Sequence, residues 1–380
     1  MEYVLMHRNV PVMDCIFEND TLLRGIRIHN MPHVPVGVTN VLGRVENRRL
    51  RMWWNRRHVG RDRVNWDYIK SILHCDGPDV LARIAYGCSL SDQYWIKPAE
   101  SDVLFEDVSF FSNEFDSDLF DLFLFAGEVR NDVEFHSPTC VTGGRMPKAW
   151  KVEDGKNVLY KAPGLMFDQE PYNEAIASGL GNLINANYVP YKLKQVYGIA
   201  CVCCPCMLKG TEELVTAGDI VSDNGRVGKD KHSDIIYYIN FAKKRGVQNI
   251  EKSISDMVLC DFLLRNGDRN WTNFGLIRDA ETLKYLRPAP AFDFDSCLFY
   301  DTDRIDIKKA CTSSLSGKSL YDDLQYCTCS DMRKVNQYPT LVRSVLDLSD
   351  LSRERKLKLQ AFVTDRVDTL TKSACYRKFK

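Results

Sequence analysis

The stretch from residue 256 to residue 295 constrains the fold of this chain more than any other part of the sequence. It begins with a mostly apolar run, Met257–Leu264, whose composition favours a buried helix. A polar turn and a short apolar strand follow, and a second strand leads into Asp293. This order places Asp268, Asn273 and Asp293 at loops and strand ends, where a hairpin would bring their side chains together.

The residue types at these three positions suit phosphoryl transfer. The reaction needs a group that takes or orients the proton of the acceptor hydroxyl, and the carboxylate of Asp268 suits that role. It also needs oxygen ligands for Mg²⁺, which Asn273 and Asp293 offer. An isolated Asn-Gly-Asp is usually a simple turn, so the prediction depends on the Asp-x₄-Asn spacing together with the downstream Phe-Asp. An acid, an amide and a second acid in this order recur in protein kinases.

The segments 266–273 and 289–293 resemble the catalytic segments of HipA-like serine/threonine kinases, which typically read N-x-D-R-H-x-x-N followed by A-P-x-F-D. The sequence departs from that pattern at Asn270, where the family usually has His. It departs from ordinary eukaryotic kinases at Asp295, where those have Gly. The resemblance covers nearly the whole chain, because family members commonly carry an N-terminal piece comparable to residues 1–42, which here looks like a short β-unit.

The resemblance implies an α+β, protein-kinase-like fold with two lobes. A mixed β N-lobe would span residues 128–207, and a mainly helical C-lobe would span residues 208–380. Residues 1–127 would form an N-terminal α/β extension made of a β-unit and helices. A chain of 380 residues, of which 44% are hydrophobic, is long and apolar enough for two or three packed units.

A run of hydroxyls, two glycines and a lysine over residues 137–150 suggests a phosphate-binding loop, because glycine lets backbone N–H groups approach phosphate oxygens. A simple hairpin turn is the alternative. The run is similar to the phosphate loop of HipA-like kinases, which can carry an autophosphorylated hydroxyl. The resemblance implies nucleotide-binding roles for Thr142, Gly143, Gly144 and Lys148. It implies autophosphorylation at one of the hydroxyls of Ser137, Thr139 and Thr142.

A second phosphate-binding group is expected on the next strand, Val158–Ala162, which carries Lys161. In a kinase this lysine supplies a fixed positive charge to the α- and β-phosphates, whereas an ordinary edge-strand lysine is merely solvated. A helix is predicted from Glu170, since Pro171 is tolerated in a first turn. Glu174 on that helix would hold Lys161 in place.

The cysteine-rich segment after the predicted strands Val189–Leu193 and Ala200–Cys203 falls where a hinge between lobes would lie. Backbone groups of Cys204 and Cys206 would read adenine there. Zinc binding by the closely spaced cysteines is the alternative, but zinc sites usually need a second pair at a characteristic distance. The fourteen cysteines are spread through a long chain, so we expect mostly reduced, buried thiols.

Two further segments carry explicit predictions. Residues 43–63 mix arginines with Trp53 and Trp54, a composition that can bind nucleic acid. The preferred interpretation is a surface helix whose tryptophans pack while the arginines stay solvated, because the net charge of the chain is zero. Residues 209–233, rich in Gly and polar residues, are predicted to form a mobile loop at the rim of the cleft. A closing pair of amphipathic helices is expected over residues 338–372.

No window reaches the ~18 consecutive apolar residues of a membrane span, and the N-terminus lacks the pattern of a signal peptide. We therefore expect a soluble, cytoplasmic protein that does not contact membranes and does not bind nucleic acid directly.

The sequence thus predicts an ATP- and Mg²⁺-dependent serine/threonine protein kinase that autophosphorylates on its phosphate loop. Its expected partners are ATP, a protein substrate and an antitoxin-like or regulatory protein. Two alternatives stay open. One is a pseudokinase that serves as a binding scaffold, and the other is a kinase for a lipid or small molecule, because fold resemblance does not fix the acceptor.

Overall fold

The computed structural model describes residues 1–18, 20–115, 117–128, 135–164, 166–223 and 230–372. The chain forms two compact units built from interleaved segments. The first unit consists of Met1–Lys161, Pro205–Gly228 and Leu276–Leu286. The second unit consists of Ala162–Cys204, Lys229–Gly275 and Arg287–Lys380. The predicted lobe boundaries after residues 127 and 207 stay predictions.

The fold mixes helices with antiparallel sheets. The strands are β1 Glu2–His7, β2 Val10–Glu18, β3 Thr21–Ile28, β4 Tyr94–Pro98, β5 Lys148–Glu153, β6 Lys156–Lys161, β7 Lys192–Val196, β8 Ile199–Pro205, β9 Glu212–Thr216, β10 Gly275–Asp279 and β11 Tyr285–Pro288. The α-helices are α1 Asn47–Asn55, α2 Trp66–Leu73, α3 Pro78–Ile84, α4 Phe105–Val108, α5 Phe120–Phe125, α6 Glu170–Leu183, α7 Ala217–Ser222, α8 Lys231–Lys244, α9 Ile250–Leu264, α10 Leu320–Asp323, α11 Tyr338–Leu346 and α12 Arg353–Lys372. Within the described ranges, no helix combines the length and the apolar character needed to cross a membrane.

An antiparallel sheet opens the first unit, with strand order β3-β2-β1-β4. In β1 and β2, buried apolar residues such as Leu5 and Met13 face each other across the strand pair. Helix α1 packs against β3. The short β-unit predicted at the start of the chain is confirmed.

The arginine- and tryptophan-rich segment is packed rather than displayed. Trp53 and Trp54 are buried, as predicted. The expectation that the arginines stay solvated is wrong for Arg57 and Arg63, which are also buried. The guanidinium of Arg57 forms an ion pair with Asp92 and lies 4.8 Å from the Trp53 ring. These arginines are buried because carbonyl and carboxylate oxygens surround their guanidinium groups.

The prediction of a mobile loop over residues 209–233 is wrong for much of that stretch. Strand β9 and helix α7 occupy residues 212–222, and α8 begins at Lys231, while residues 224–229 lie outside the described part of the chain. Within the strand, Glu213, a residue type usually found on surfaces, is buried and forms ion pairs with His7 and Arg278. Strand β9 joins β10 and β11 in a sheet of order β11-β10-β9.

Two hairpins correspond to strands predicted from the sequence. In the first unit, β5 pairs with β6 so that Lys148 lies directly opposite Lys161. In the second unit, β7 pairs with β8, and the paired residues begin later than the predicted Val189. Because side chains alternate along β8, Cys201 and Cys204 point to opposite faces. The cysteines that the structure describes are free thiols, as predicted, and they form no metal-binding group among those residues.

Helix α9 forms the centre of the second unit. From Ile254 to Leu264 its residues are buried, consistent with a helix that is apolar nearly all round. Helices α6, α8 and α12 contact it. The predicted buried helix before the polar turn and the predicted pair of C-terminal helices, α11 and α12, are both confirmed.

Candidate active site

The polar turn after α9 is held by the side chain of Asn266. The helix ends as Arg265 adopts a left-handed conformation with a φ of 55°. The amide of Asn266 then donates 2.7 Å back to the buried carboxylate of Asp261, and its oxygen accepts 3.1 Å from the N–H of Asp268. These bonds fix the backbone that carries Asp268 at the surface of the turn.

The middle residue of the turn has to be glycine for steric reasons. A Cβ atom on Gly267 would lie 2.9 Å from both the Sγ of Cys311 and the carbonyl oxygen of Thr312. The carbonyl of Gly267 accepts 2.9 Å from the N–H of Ser314. The segment around residues 311–314 therefore packs directly against the backbone of the turn.

Arg269 connects the turn to the segment that carries the second acid. It is fully buried and forms an ion pair of 3.0 Å with Asp261. It donates 3.0 Å to the carbonyl of Asn273 and 2.7 Å to that of Phe292. Its guanidinium also lies 4.4 Å from the centre of the Phe294 ring. One side chain thus sets the distance between the turn and the Phe-Asp segment.

The two residues predicted as Mg²⁺ ligands are in direct contact. The side-chain amide of Asn273 donates a 2.9 Å hydrogen bond to the carboxylate of Asp293. Asp293 has a φ of +63°, a left-handed conformation that is costly for a residue other than glycine, of the order of 1 kcal/mol. The surrounding contacts hold this conformation, and such strain is common at functional sites.

Two more carboxylates converge on that of Asp293. Oxygens of Glu174, Asp293 and Asp295 all lie within 4.8 Å of one another. Glu174 is completely buried on α6 and accepts 3.0 Å from the N–H of Phe294. The adjacent Asn173 donates 2.8 Å to the carbonyl of Asp295. Carboxylates this close repel one another, and hard oxygen ligands of this kind fit Mg²⁺.

The electrostatics favour Asp268 as a proton acceptor. Surrounding protein partly desolvates its carboxyl group and raises its pKa, and the negative charges of Asp293 and Asp295 raise the pKa further. The amide of Asn270 donates 2.7 Å to the same carboxylate and acts in the opposite direction. A raised pKa makes the deprotonated carboxylate a stronger base.

The glycine-rich loop in the first unit follows a short 3₁₀ helix, Pro138–Val141. Gly144 has a φ of +98°, which suits glycine. The N–H groups of Gly143, Gly144 and Arg145 have no acceptor among the residues that the structure describes. Consecutive unpaired N–H groups form an anion-binding concavity.

Two lysines lie beside this loop. The Nζ of Lys148 is close to the backbone of Gly144, and Lys148 faces Lys161 across the β5–β6 pair. Both lysines are buried. Like charges in opposite positions of a strand pair repel one another.

The candidate autophosphorylation hydroxyls are engaged within the loop. Ser137 and Thr139 are buried, and the Thr139 hydroxyl accepts 3.0 Å from the N–H of Trp150. The hydroxyl of Thr142 donates 2.7 Å to the carbonyl of Pro138 and accepts 2.8 Å from the indole N–H of Trp150. Modification of any of the three therefore requires the loop to rearrange.

The remaining predicted site residues are divided between the two units. Lys161 belongs to the first unit and Glu174 to the second, and their ion pair stays a prediction. Cys204 lies in β8 and Cys206 just after it. The N–H of Cys206 donates 2.8 Å to the carbonyl of Asn157, and adenine binding by these two residues stays a prediction.

Sequence reasoning missed three contributors to the site. Asp295 was noted only as a departure from Asp-Phe-Gly, although an acid two residues after Asp293 was a signal for a second carboxylate nearby. Asn266 and Arg269 belong to the motif, but their structural roles depend on Asp261. Asp261 lies within the mostly apolar run Met257–Leu264 and was not considered as a partner for them.

No protein-family model matches the sequence, and no curated protein matches it. Among solved structures, HipA of Shewanella oneidensis MR-1, determined in complex with HipB and its operator DNA, has a TM-score of 0.54 at 12% identity, over 99% of this chain and 97% of that chain. The proinflammatory kinase CtkA of Helicobacter pylori has a TM-score of 0.45 at 19% identity, over 58% of this chain and 91% of that chain. The similarity to HipA is one of fold.

Proposed function

We propose that this chain is an ATP- and Mg²⁺-dependent serine/threonine protein kinase with a HipA-like, two-lobed fold. The observation that carries the proposal is the contact between Asn273 and Asp293 beside the carboxylate cluster of Glu174 and Asp295. The sequence predicted an amide and an acid with this chemistry, and the negative charge of Asp293 helps to raise the pKa of Asp268. The fold similarity to HipA supports the same conclusion.

Each residue has a defined task in this proposal. Asp268 takes the proton of the acceptor hydroxyl. Asn273 and Asp293, with Asp295 nearby, hold Mg²⁺, which neutralises charge on the phosphates when bound. Arg269 keeps these groups at fixed separations, and most of the rate enhancement comes from such positioning.

Phosphate binding is assigned to the first unit. The unpaired N–H groups from Gly143 to Arg145 would cover the triphosphate, while Lys148 and Lys161 supply positive charge. Glu174 would orient Lys161, and ATP would bind between an N-lobe over residues 128–207 and a C-lobe over residues 208–380. Cys204 and Cys206 would line the adenine site.

We assign a protein as acceptor, with autophosphorylation on Ser137, Thr139 or Thr142 after loop rearrangement. A partner protein of the antitoxin type is also proposed, because the HipA structure of similar fold is a complex with HipB and operator DNA.

A pseudokinase is the second candidate, and one contact favours it. Asn270 replaces the histidine of the family pattern and donates a hydrogen bond to the Asp268 carboxylate. That bond occupies an oxygen that would otherwise accept the proton. In this alternative the chain binds Mg-ATP without transferring phosphate.

The test is transfer of labelled γ-phosphate from Mg-ATP to the protein itself and to a lysate, with wild type, Asp268→Ala and Asp347→Ala compared. Asp347 is an exposed aspartate at the end of α11, outside the carboxylate cluster, and serves as the matched control. We expect transfer by wild type and Asp347→Ala, and a loss of ~10³-fold or more in Asp268→Ala.

The other outcomes separate the candidates. Equal label on wild type and Asp268→Ala would reject Asp268 as the base. ATP binding without any label would favour the pseudokinase. Label on a lipid or metabolite but on no protein would replace the protein acceptor with a small one. No label and no ATP binding would reject the proposal.

A further inference from the structure

Arg63 is the last residue of the arginine-rich segment 43–63. Its guanidinium donates hydrogen bonds to carbonyl groups of the glycine-rich loop, residues 142–145. Its side chain is only 3% exposed. The Nε atom donates 3.2 Å to the carbonyl of Gly144, and Nη1 donates 3.3 Å to that of Lys148. The Nη2 atom donates 3.2 Å to the carbonyl of Gly143 and also binds that of Thr142. A single guanidinium thus accounts for three consecutive carbonyls of the loop and a fourth at the start of β5.

The positive charge of Arg63 is stabilised by the dipoles of backbone carbonyl groups instead of by a carboxylate. Among the described residues, no Asp or Glu forms an ion pair with Arg63. Burial lowers the pKa of Arg63 to about 10, and the nearby charge of Asp62 opposes that effect only in part. The group is therefore still charged at neutral pH. A buried arginine whose partners are all loop carbonyls fixes a backbone conformation.

The chain on both sides of Arg63 also lies against the loop. The N–H of Val64 donates 3.0 Å to the carbonyl of Arg145. A Cβ atom on Gly60 would be 3.3 Å from the carbonyl oxygen of Gly144, which is closer than an ordinary contact. Residues 60–64 therefore form a close-fitting support for residues 142–145.

The consequence for the loop follows from peptide geometry. In a trans peptide the C=O of one residue and the N–H of the next point in opposite directions, and no cis peptide bond occurs in the described chain. Because Arg63 holds the carbonyls of Thr142, Gly143 and Gly144, the N–H groups of the following residues point away from it. These are the same N–H groups that lack acceptors.

We propose that Arg63 is a positioning residue that shapes the glycine-rich loop into a receptor for the β- and γ-phosphates of ATP. This inference rests on the proposed kinase function. In this proposal the N-terminal segment takes part in nucleotide recognition. It also gives a role to an arginine that is too buried to belong to a nucleic-acid-binding surface.

The experiment compares the affinities of wild type, Arg63→Lys and Arg63→Met for adenosine, AMP, ADP and ATP in the presence of Mg²⁺. Loss of Arg63 should weaken ATP binding roughly tenfold or more and leave adenosine binding nearly unchanged, so that the loss grows with the number of phosphates. Lysine keeps the charge but has no planar fork, so Arg63→Lys should show an intermediate loss.

Arg57→Met is the matched control for lost packing. Arg57 is equally buried in the same segment, but its partners are Asp92 and the carbonyls of Gly87 and Tyr94. We expect this variant to be less stable than wild type. Any loss of its ligand affinity should not grow with the number of phosphates on the ligand. Hydrogen exchange at the N–H of Val64, which donates to the carbonyl of Arg145, should be faster in the Arg63 variants than in wild type and Arg57→Met.

Two results would overturn the inference while leaving the kinase proposal intact. One is an unchanged ratio of ATP to adenosine affinity in both Arg63 variants. The other is an equal loss for all four ligands that matches Arg57→Met. If wild type does not bind ATP, the proposed function fails. Binding of inorganic triphosphate by wild type but not by Arg63→Met would then still support Arg63 as the organiser of an anion site, and equal binding by both would reject it.

Discussion

The amide of Asn273 and the carboxylate of Asp293, twenty residues apart in sequence, share a hydrogen bond of 2.9 Å. The bond joins the end of the polar turn to a residue with a strained backbone. The bond uses the amide nitrogen of Asn273, and an amide oxygen and a carboxylate are both of the ligand types that Mg²⁺ accepts. We therefore expect substitution of either residue to change the Mg²⁺ concentration that the reaction needs.

Asn273→Ala should raise the Mg²⁺ concentration needed for half-maximal phosphate transfer and lower the maximal rate by roughly 10²-fold, because a misplaced ligand misplaces the phosphates. A Mg²⁺ titration of labelled phosphate transfer measures both effects. Thr272→Ala, at the exposed neighbouring position, should behave like wild type. A lower rate with an unaltered Mg²⁺ midpoint would mean that Asn273 does not contact the cation.

Asn270→Ala should move the acid limb of the pH–rate profile to higher pH. The hydrogen bond from Asn270 lowers the pKa of Asp268, so its removal lets that pKa rise. A general base works only when deprotonated, and activity is lost as the pH falls through its pKa. Asn270→His, which restores the family pattern, provides the comparison. An acid limb that stays in place in Asn270→Ala would exclude Asp268 as the group that titrates.

Glu174→Gln should weaken Mg-ATP binding by roughly tenfold and reduce the rise in Tm that Mg²⁺ and ATP produce together. The substitution keeps an acceptor for the N–H of Phe294 but removes one charge from the carboxylate cluster. Glu170→Gln is the control, since Glu170 is buried on the same helix outside that cluster. Affinity equal to that of wild type would reject both the cluster as a cation site and the predicted pairing with Lys161.

Glu213→Gln should destabilise the protein by about 3–5 kcal/mol at neutral pH, because it leaves the charge of Arg278 buried without its partner. Burial opposes ionisation of Glu213, but His7 and Arg278 outweigh it and lower its pKa to about 2. A glutamate in the unfolded chain titrates near ~4.3. The stabilisation is thus complete above that pH and disappears as the pH falls toward 2.

Urea unfolding as a function of pH checks this prediction. Wild type should lose stability between about pH 4 and pH 2, and Glu213→Gln should show a flatter profile there. The neighbouring Glu212→Gln should retain the wild-type profile. Parallel profiles for wild type and Glu213→Gln would show that acid unfolding starts elsewhere.

The local parts of the site could be predicted from the sequence. The helix, the turn and the hairpin between residues 257 and 288 follow from apolar periodicity and turn residues, and they bring Asn273 and Asp293 together with few alternatives. Helix α6, which has Pro171 in its first turn, and the C-terminal helices α11 and α12 could also be predicted from the sequence. These features depend on neighbours within a few tens of residues.

The remaining features depend on partners that are distant in sequence. Strand β9 was predicted as loop because Glu213 looks like a surface residue until His7 and Arg278 are placed beside it. Arg63 looked like part of a basic surface until the loop carbonyls enclosed it. Such burial is decided by tertiary contacts, and residue composition alone favoured the solvated alternative.

The first unit has a consequence for biosynthesis, because it is assembled from three stretches of chain that end at residue 286. A ribosome must release almost three quarters of the 380 residues before β9 can pair with β10 and Glu213 can meet Arg278. Until then the sheet of strands β1 to β4 lacks part of the unit to which it belongs. Folding of this domain is therefore a late, long-range event, and nascent chains stalled before residue 276 should be the ones that chaperones retain.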